Sequence, residues 1–346
     1  MPTENIFVTV VVPIRNEEKN IAGCLQSIVN QTYPSERYEV LVIDGFSDDQ
    51  TRRIVRDFQS YHPQVKLLDN ARRIVPTALN IALKAARGDV IIRVDGHAEI
   101  APDYLEKCIE NLQSSGAECA GGYILSINDS FTGKAIALAM SSPFGVGNAR
   151  FRTSGKPGFV DTLAFGAYRR EIFQQIGDFD EELVRCQDDE FNYRLRKAGG
   201  KIYFTPEIRS KYYPRVSLKK LWRQYFGYGF WKIRVMQKHL QMMQLRQFIP
   251  PAFVGFLLLS FLLGILGTPL VLNAFFGVAG IYAIAVLFAS VSVASKHGWR
   301  YMLLLPVIFS ILHISYGSGF LLGSFKFAPR WFDRKSEKIQ YSANEI

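Results

Sequence analysis

Three carboxylates fall just past runs of apolar, β-branched residues: Glu17 after Phe7 to Val12, Asp44 after Val40 to Ile43, and Asp95 after Val90 to Val94. A strand end is open to solvent and next to a helix start, so a carboxylate there can meet a ligand without being buried. Asp44 and Asp95 could each simply cap a turn; three such positions together mark a ligand crevice. Asp95-Gly96-His97 is the sharpest local feature. A carboxylate and an imidazole one residue apart, with Gly96 letting the chain turn tightly, can face one ion from the same side. A divalent ion with so few protein ligands takes the rest from water and substrate phosphates. No second carboxylate stands at the third position, which leaves the ion's identity open, and His97 alone would be an ordinary turn histidine. Further along, Asp188-Asp189-Glu190 opens a helical stretch that runs to Ala198, where acidic residues suit the first turn.

The elements that must hold these groups alternate. FVTVVV ends at Pro13 and reads as a strand buried on both faces. Glu17 and Glu18 suit the first turn of a following helix, in which Ile21, Cys24, Leu25, Ile28 and Val29 repeat at helical spacing. Val40 to Ile43 forms the next strand, Ser47-Asp48-Asp49 caps the next helix, and Val90 to Val94 forms a third strand after a helical stretch over 76–87. Such alternation predicts an α/β fold: a mostly parallel sheet flanked by helices, with ligands at the carboxyl ends of its strands.

Composition narrows the class. With 48% hydrophobic residues in 346, the chain can bury a sizeable core, which excludes disorder. Cys24, Cys108, Cys119 and Cys186 lie far apart without CxxC spacing, as expected of reduced thiols in a cytosolic domain. The start, MPTENIFVTVVVP, has no charged region followed by a long apolar stretch and a cleavage site, so it reads as mature protein. The net charge of +10 is unevenly spread: residues 1–208 hold 24 basic and 28 acidic residues, a balance of −4. A nucleic-acid-binding domain is therefore not expected. Residues 209–246 carry ten Lys or Arg and no Asp or Glu, and the long apolar segment beyond them accounts for that stripe.

No charge occurs from Ile249 to Ser295, nor from Tyr301 to Phe325. Each membrane crossing needs about 20 apolar residues. The lengths predict helices near 249–267, 270–294 and 302–323, divided at Gly267-Thr268-Pro269 and Lys296-His297-Gly298. Basic loops stay cytosolic. The stripe, the turn at 296–300 and a tail with Lys326, Arg330, Arg334, Lys335 and Lys338 are all positive, and three full crossings cannot place all three on one side. Either the tail is an exception, or the third segment breaks at Tyr316-Gly317-Ser318-Gly319 and re-enters.

Within the stripe, Leu218, Leu221, Trp222, Tyr225, Phe226 and Gly229 share one helical face, with Lys219, Lys220 and Arg223 on the other. That pattern fits a helix lying on the membrane surface and drawn to anionic headgroups, or else one packed on protein with a solvated basic face. The expected organisation is a catalytic domain over 1–208, basic amphipathic interfacial helices over 209–248, a transmembrane segment of two to three helices over 249–325 and a basic tail over 326–346.

VVVPIRNEEKNI, LVIDGFSDD, RVDGHA, the stretch around Phe165 to Arg170 and QDDEFNYRLRKAGGKIYFTP occur in this order over residues 7–206. This set resembles the family 2 glycosyltransferases of the GT-A fold, in particular the succinoglycan-type exopolysaccharide glucosyltransferases. The resemblance implies that Pro13 and Glu17 line a nucleotide pocket, that Asp44 hydrogen-bonds uracil, and that Asp95 and His97 stand at the family's DxD motif and hold Mg²⁺ or Mn²⁺ on the donor's diphosphate. It implies Asp188 as the general base, with Gln187 in place of the family's Glu and Asp189 the spare candidate. Sugar transfer needs a base for the acceptor proton and stabilisation of a leaving diphosphate, and one carboxylate with one divalent ion meets both needs. Attack from the face opposite the diphosphate inverts the anomeric centre.

Processive relatives carry QxxRW, whereas this chain reads Arg223-Gln224-Tyr225-Phe226-Gly227-Tyr228, which argues for single addition. Arg215 and Arg223 could still reach the diphosphate. His239 is a further candidate ligand, while His297 and His313 read as interfacial or helix-packing residues. The expected protein is a multi-pass membrane glycosyltransferase with a cytosolic site, acting on a nucleotide-sugar donor and a polyprenyl-diphosphate-linked saccharide at the lipid bilayer. Alternatives are transfer to polyprenyl phosphate itself and a non-catalytic nucleotide-sugar-binding subunit.

Overall fold

The computed structural model describes residues 6–147, 150–153, 155–213 and 217–331. Arg215 of the stripe and Arg334, Lys335 and Lys338 of the tail lie outside the described residues. Two compact units divide the rest. The first takes the described residues up to Leu125 and from Arg150 to Tyr213; the second takes those from Ser126 to Gly147 and from Ser217 onward.

The first unit is built on one sheet. β1 (Val8–Ile14), β2 (Tyr38–Asp44), β3 (Val65–Asp69) and β4 (Val90–Arg93) run parallel in the order β3-β2-β1-β4. They are joined by α1 (Ile21–Val29), α2 (Thr51–Tyr61) and α3 (Val75–Ala85). β5 (Ala98–Ile100), β6 (Cys119–Ser126), β8 (Ala167–Arg169) and β9 (Ile202–Tyr212) continue it as β4-β8-β6-β9-β5, with β7 (Gly158–Phe159) paired to β9. β8 is antiparallel to both β4 and β6. The helices α4 (Tyr104–Ser115), α7 (Arg150–Thr153), α8 (Glu171–Ile176) and α9 (Gln187–Lys197) complete the unit.

Alternation along β1 sorts its side chains to two faces. Val10 and Val12 join Ile21, Leu25 and Ile28 of α1 and Leu105 of α4; Val11 joins Leu41 and Ile43 of β2, Leu79 of α3 and Phe191 of α9. All seven residues of β1 are buried, as its continuous apolar run requires. The sequence reading passed over β3, whose VKLLD is only partly buried and carries a weaker apolar signal. β2 follows β1 on one side and β4 lies on the other, so the connections diverge at β1 and β4 and leave a crevice at their carboxyl ends. β9 runs to Tyr212, so Arg209 and Lys211 belong to the sheet and not to the helix after it.

The second unit is helical: α5 (Phe131–Met140), α6 (Pro143–Val146), α10 (Leu218–Lys238), α11 (Leu245–Ile265), α12 (Pro269–His297) and α13 (Leu305–Lys326). α11, α12 and α13 are each long and apolar enough to cross a membrane. A helix of 21 residues extends roughly 30 Å, the thickness of a bilayer's hydrocarbon core. Leu258, Leu259, Phe276, Ile281, Ile284 and Phe288 stand exposed, which suits a lipid-facing surface.

Two expectations change here. α13 continues unbroken through Tyr316-Gly317-Ser318-Gly319, where a break and re-entry had been one alternative. The glycines serve close packing: a Cβ on Gly319 would stand 2.0 Å from the Phe226 carbonyl oxygen, and one on Gly229 would stand 2.0 Å from that of Tyr316. α10 is amphipathic only in its first half. There Lys219, Lys220 and Arg223 are exposed and Leu221 is buried, whereas Trp231 to Gln237 are buried all round, Lys232 and Arg234 included. Gln237 donates to the Phe327 carbonyl at 2.7 Å and accepts from Arg234 at 3.2 Å. The basic surface helix is thus half a packed one. α5 and α6 also join this unit, through Ile136, Ala139 and Met140 packed with Leu305, Ile308 and Phe309 of α13.

Candidate active site

At the carboxyl edge of the sheet the structure brings four of the acidic candidates onto neighbouring strands and one helix. Asp95 follows β4, and its Oδ1 accepts from Arg93 Nε at 2.9 Å and Nη2 at 2.8 Å. The third nitrogen, Nη1, donates to Asp188 in the first turn of α9. One guanidinium therefore joins two carboxylates from separate motifs. The side chains are 12% exposed for Arg93, 20% for Asp95 and 26% for Asp188, so the trio is half-sheltered yet reachable.

The acidic triplet splits by partner. Glu190 is buried and bonded to Arg194 at 2.7 Å within its own helix. Asp189 accepts from Thr162 Oγ1 at 3.0 Å. Asp188 accepts from the rim arginine. Burial pushes its carboxyl above the usual value; Arg93 opposes that rise, and Asp95 and Asp189 add to it. For Arg93, burial would favour the neutral form, but Asp188 and Asp95 outweigh it and hold the guanidinium charged.

Glu17, past the end of β1, turns toward the next strand end. Its Oε1 lies 2.9 Å from His97 Nδ1, and Oε2 accepts from Asn20 at 3.3 Å. His97 stacks edge-on against Tyr212. Gly96 is needed for space and not for a left-handed turn: a Cβ there would stand 2.6 Å from Ile14 Cγ2. Pro13 lies inside β1, buried, opposite Ile43.

Asp44, the last residue of β2, is fully buried. It accepts from Ser47 N at 3.1 Å, Ser47 Oγ at 2.5 Å and Arg52 Nη1 at 2.6 Å, and Arg52 also holds Asp69 at 2.7 Å. The turn-capping alternative for Asp44 is thus what its contacts display. His239, the other candidate ligand, caps α10 in the second unit.

Backbone strain marks the same edge. The non-glycine residues with φ in the left-handed region are Asn16, Phe46, Arg73, Phe165 and Cys186, among the described residues. Asn16 and Phe46 lie two residues past β1 and β2, and Arg73 lies four residues past β3, in the turn before α3. Phe165 precedes β8, whose antiparallel register with β4 puts it at that edge, and Cys186 precedes the α9 turn that carries Asp188. Strained backbone of this kind gathers at functional sites.

Sequence reasoning missed Arg93. The signal was a single charge inside VIIRV: an arginine in a buried strand demands a partner, and its acidic neighbour was in plain view.

Among the described residues no three His, Cys, Asp or Glu side chains gather in a metal-binding cluster. Asp95 and His97 offer one oxygen and one nitrogen donor, and Arg93 already sets a positive charge on Asp95. That donor set fits a divalent ion that completes its shell from a diphosphate and water.

A sheet that switches direction at an acidic edge defines a GT-A-type transferase fold, and solved structures share it. One is a mannosyltransferase from Pyrobaculum calidifontis in complex with GDP-Man and Mn²⁺, with TM-score 0.53 and 18% identity over 96% of this chain and 89% of that one. Another is S. aureus TarS 1-349 in complex with UDP-GlcNAc, with TM-score 0.52 and 19% identity over 93% of this chain and 92% of that one. The chain belongs to glycosyltransferase family 2, whose sequence pattern matches residues 9–177. It is similar to the succinoglycan biosynthesis protein ExoA of Rhizobium meliloti, 32% identical over 90% of this chain and 93% of that protein. It is also 31% identical, over 92% of this chain and 98% of the relative, to the dolichyl N-acetyl-alpha-D-glucosaminyl phosphate 3-beta-D-2,3-diacetamido-2,3-dideoxy-beta-D-glucuronosyltransferase of Methanococcus voltae.

Proposed function

We propose that the protein is a membrane-anchored inverting glycosyltransferase. It moves a sugar from a nucleotide donor, UDP-linked, to a saccharide on a polyprenyl diphosphate at the cytosolic face of a cell membrane. The observation that carries this reading is the convergence of Asp95 and Asp188 on Arg93, because the reaction needs a diphosphate-side group and a proton acceptor within one small crevice.

In this reading Asp188 takes the proton of the acceptor hydroxyl as that oxygen bonds to the anomeric carbon and the bond to the diphosphate breaks on the opposite face. Burial makes Asp188 a stronger base than a solvated aspartate, and Arg93 keeps it aimed. Asp95 and His97 would hold Mg²⁺ or Mn²⁺, and when bound such an ion neutralises charge on the departing diphosphate. Glu17 accepts from Nδ1–H of His97, which leaves the ring's lone pair on Nε2 for a metal. An imidazole donor suits Mn²⁺ better than the harder Mg²⁺. Pro13 and Glu17 line the nucleotide pocket, and Asp44 holds the uracil ring by giving up the Ser47 hydroxyl.

One relative's name supports a lipid-linked sugar as acceptor, being that of a transferase named for a sugar already linked to dolichyl phosphate, and the other relative belongs to succinoglycan biosynthesis. The three apolar helices support its presentation at a bilayer. The test is a donor screen on membranes containing the protein, with native lipid extract as acceptor and product mass as readout. A single added hexose on a lipid-linked saccharide is expected. A product formed only on added polyprenyl phosphate would move the acceptor to the bare lipid, and no transfer from any donor would overturn the enzymatic reading.

A further inference from the structure

Phe46 is out of place by every local rule. The turn after β2 is closed by Asp44, whose carboxylate accepts from the amide and the hydroxyl of Ser47, and this closure holds residue 46 at φ 56°. Gly or Asn adopts that backbone readily, whereas a bulky aromatic residue there is a steric outlier. The strain is not offset by burial: Phe46 keeps 44% of its surface exposed. Arg73, itself left-handed, has its guanidinium carbon 5.7 Å from the ring centroid, and that of Arg52 lies at 6.0 Å.

We infer that Phe46, steadied by Arg73 and Arg52, is the stacking shelf for the donor's nucleobase. The inference rests on the nucleotide-sugar reading above and adds a residue to it. Three observations carry it. The ring stands two residues past Asp44, at the carboxyl edge where a ligand of such a sheet binds. Beyond its two cation–π contacts, an exposed aromatic on strained backbone gains little from the fold, which suits a ring kept for a ligand. The two guanidiniums fix the ring by cation–π contact and place positive charge beside a ligand that carries two phosphates. A flat heteroaromatic ring is the ligand part that meets a phenyl face, and base–aromatic stacking is tolerant of sequence but sensitive to loss of the ring.

The experiment uses the full chain in detergent or nanodiscs, with UDP, GDP and inorganic pyrophosphate titrated by calorimetry beside a thermal melt. Phe46→Asn, which accepts the left-handed backbone, should keep the melting temperature or raise it by about 1–3 °C. It should weaken UDP about tenfold or more and leave pyrophosphate within twofold. Phe46→Tyr should retain UDP within about threefold, while Phe46→Leu, equally strained but without a π face, should lose it like Asn. Unchanged UDP affinity in both Asn and Leu would overturn the shelf while the nucleotide site stands. Equal losses for UDP and pyrophosphate would overturn it too, by assigning the effect to the turn. Wild-type protein that binds neither nucleotide would overturn the donor reading itself.

Discussion

Arg93 donates to Asp188, a residue 95 positions further along the chain, while its other nitrogens hold Asp95 two positions away. A strand residue and the first turn of a helix are thereby tied at the edge where β4 ends. The tie makes separate, checkable demands on each partner.

Asp188→Asn keeps shape and hydrogen-bonding capacity but cannot accept the acceptor's proton. Turnover should fall by about 10²–10⁴-fold. UDP affinity, measured by calorimetry, should stay within about threefold. Retained turnover would remove Asp188 from the role of base.

The pH profile follows from the direction of the Asp188 shift. Its carboxyl lies above the usual 3.8, and the base must be ionised, so kcat/KM should fall as pH drops through that raised value. Arg93→Gln removes the opposing positive charge and should move the acid limb upward by about one unit or more. Arg93→Lys should restore part of the shift. An acid limb indifferent to Arg93 would mean that another group titrates there.

Glu17 distinguishes two roles by two ligands. As the partner of His97, Glu17→Gln should weaken Mn²⁺ binding, read by electron paramagnetic resonance, about 10–100-fold. As a lining residue of the nucleotide pocket it should also matter without metal: Glu17→Gln should weaken metal-free UDP binding, and unchanged metal-free UDP binding would confine Glu17 to its role as partner of His97. Asp95→Ala should lose the metal-dependent part of donor affinity, and equal affinity with and without chelator in wild type would reject a metal site at Asp95 and His97.

Glu39 gives the fold an acid limit away from the site. Burial would raise its carboxyl, but the Arg87 amide, Thr9, Lys66 and the Arg87 side chain together hold it below the usual 4.5. A depressed carboxyl stabilises the native state above 4.5, and that contribution is lost as pH falls through the lower folded value. Glu39→Gln should therefore cost about 1–3 kcal/mol near pH 7 and progressively less in acid, read from melting temperatures across pH. A constant difference at all pH would rule out ionisation as the cause.

The parallel core and its acidic edge were legible because FVTVVV, EVLVID and VIIRVD are near-continuous apolar runs, the last two ending at Asp44 and Asp95 and the first followed by Glu17 five residues on. The partners of those carboxylates were not. That Glu17 turns to His97, and that Asp44 is enclosed by Ser47 and Arg52, depend on which strand lies beside which, and no local pattern encodes the order β3-β2-β1-β4. Tyr316-Gly317-Ser318-Gly319 suggested a broken helix because glycine weakens helices in isolation; Gly319 against the α10 backbone and Gly317 against that of α11 are instead what permits contact. FTGKAIALAM was too short to declare itself part of the apolar helical unit, since its partners lie more than 150 positions away.

That excursion bears on how the protein can be handled. The chain leaves the sheet after β6, contributes α5 and α6 to the helical unit, and returns for β7 and β8. A fragment cut before the first span would keep Ile136, Ala139, Met140 and Phe144 but lose the α13 side chains that cover them. Trimming the spans to obtain a water-soluble enzyme would therefore create a sticky strip in the middle of the remaining polypeptide, which the side chains of α13 otherwise cover.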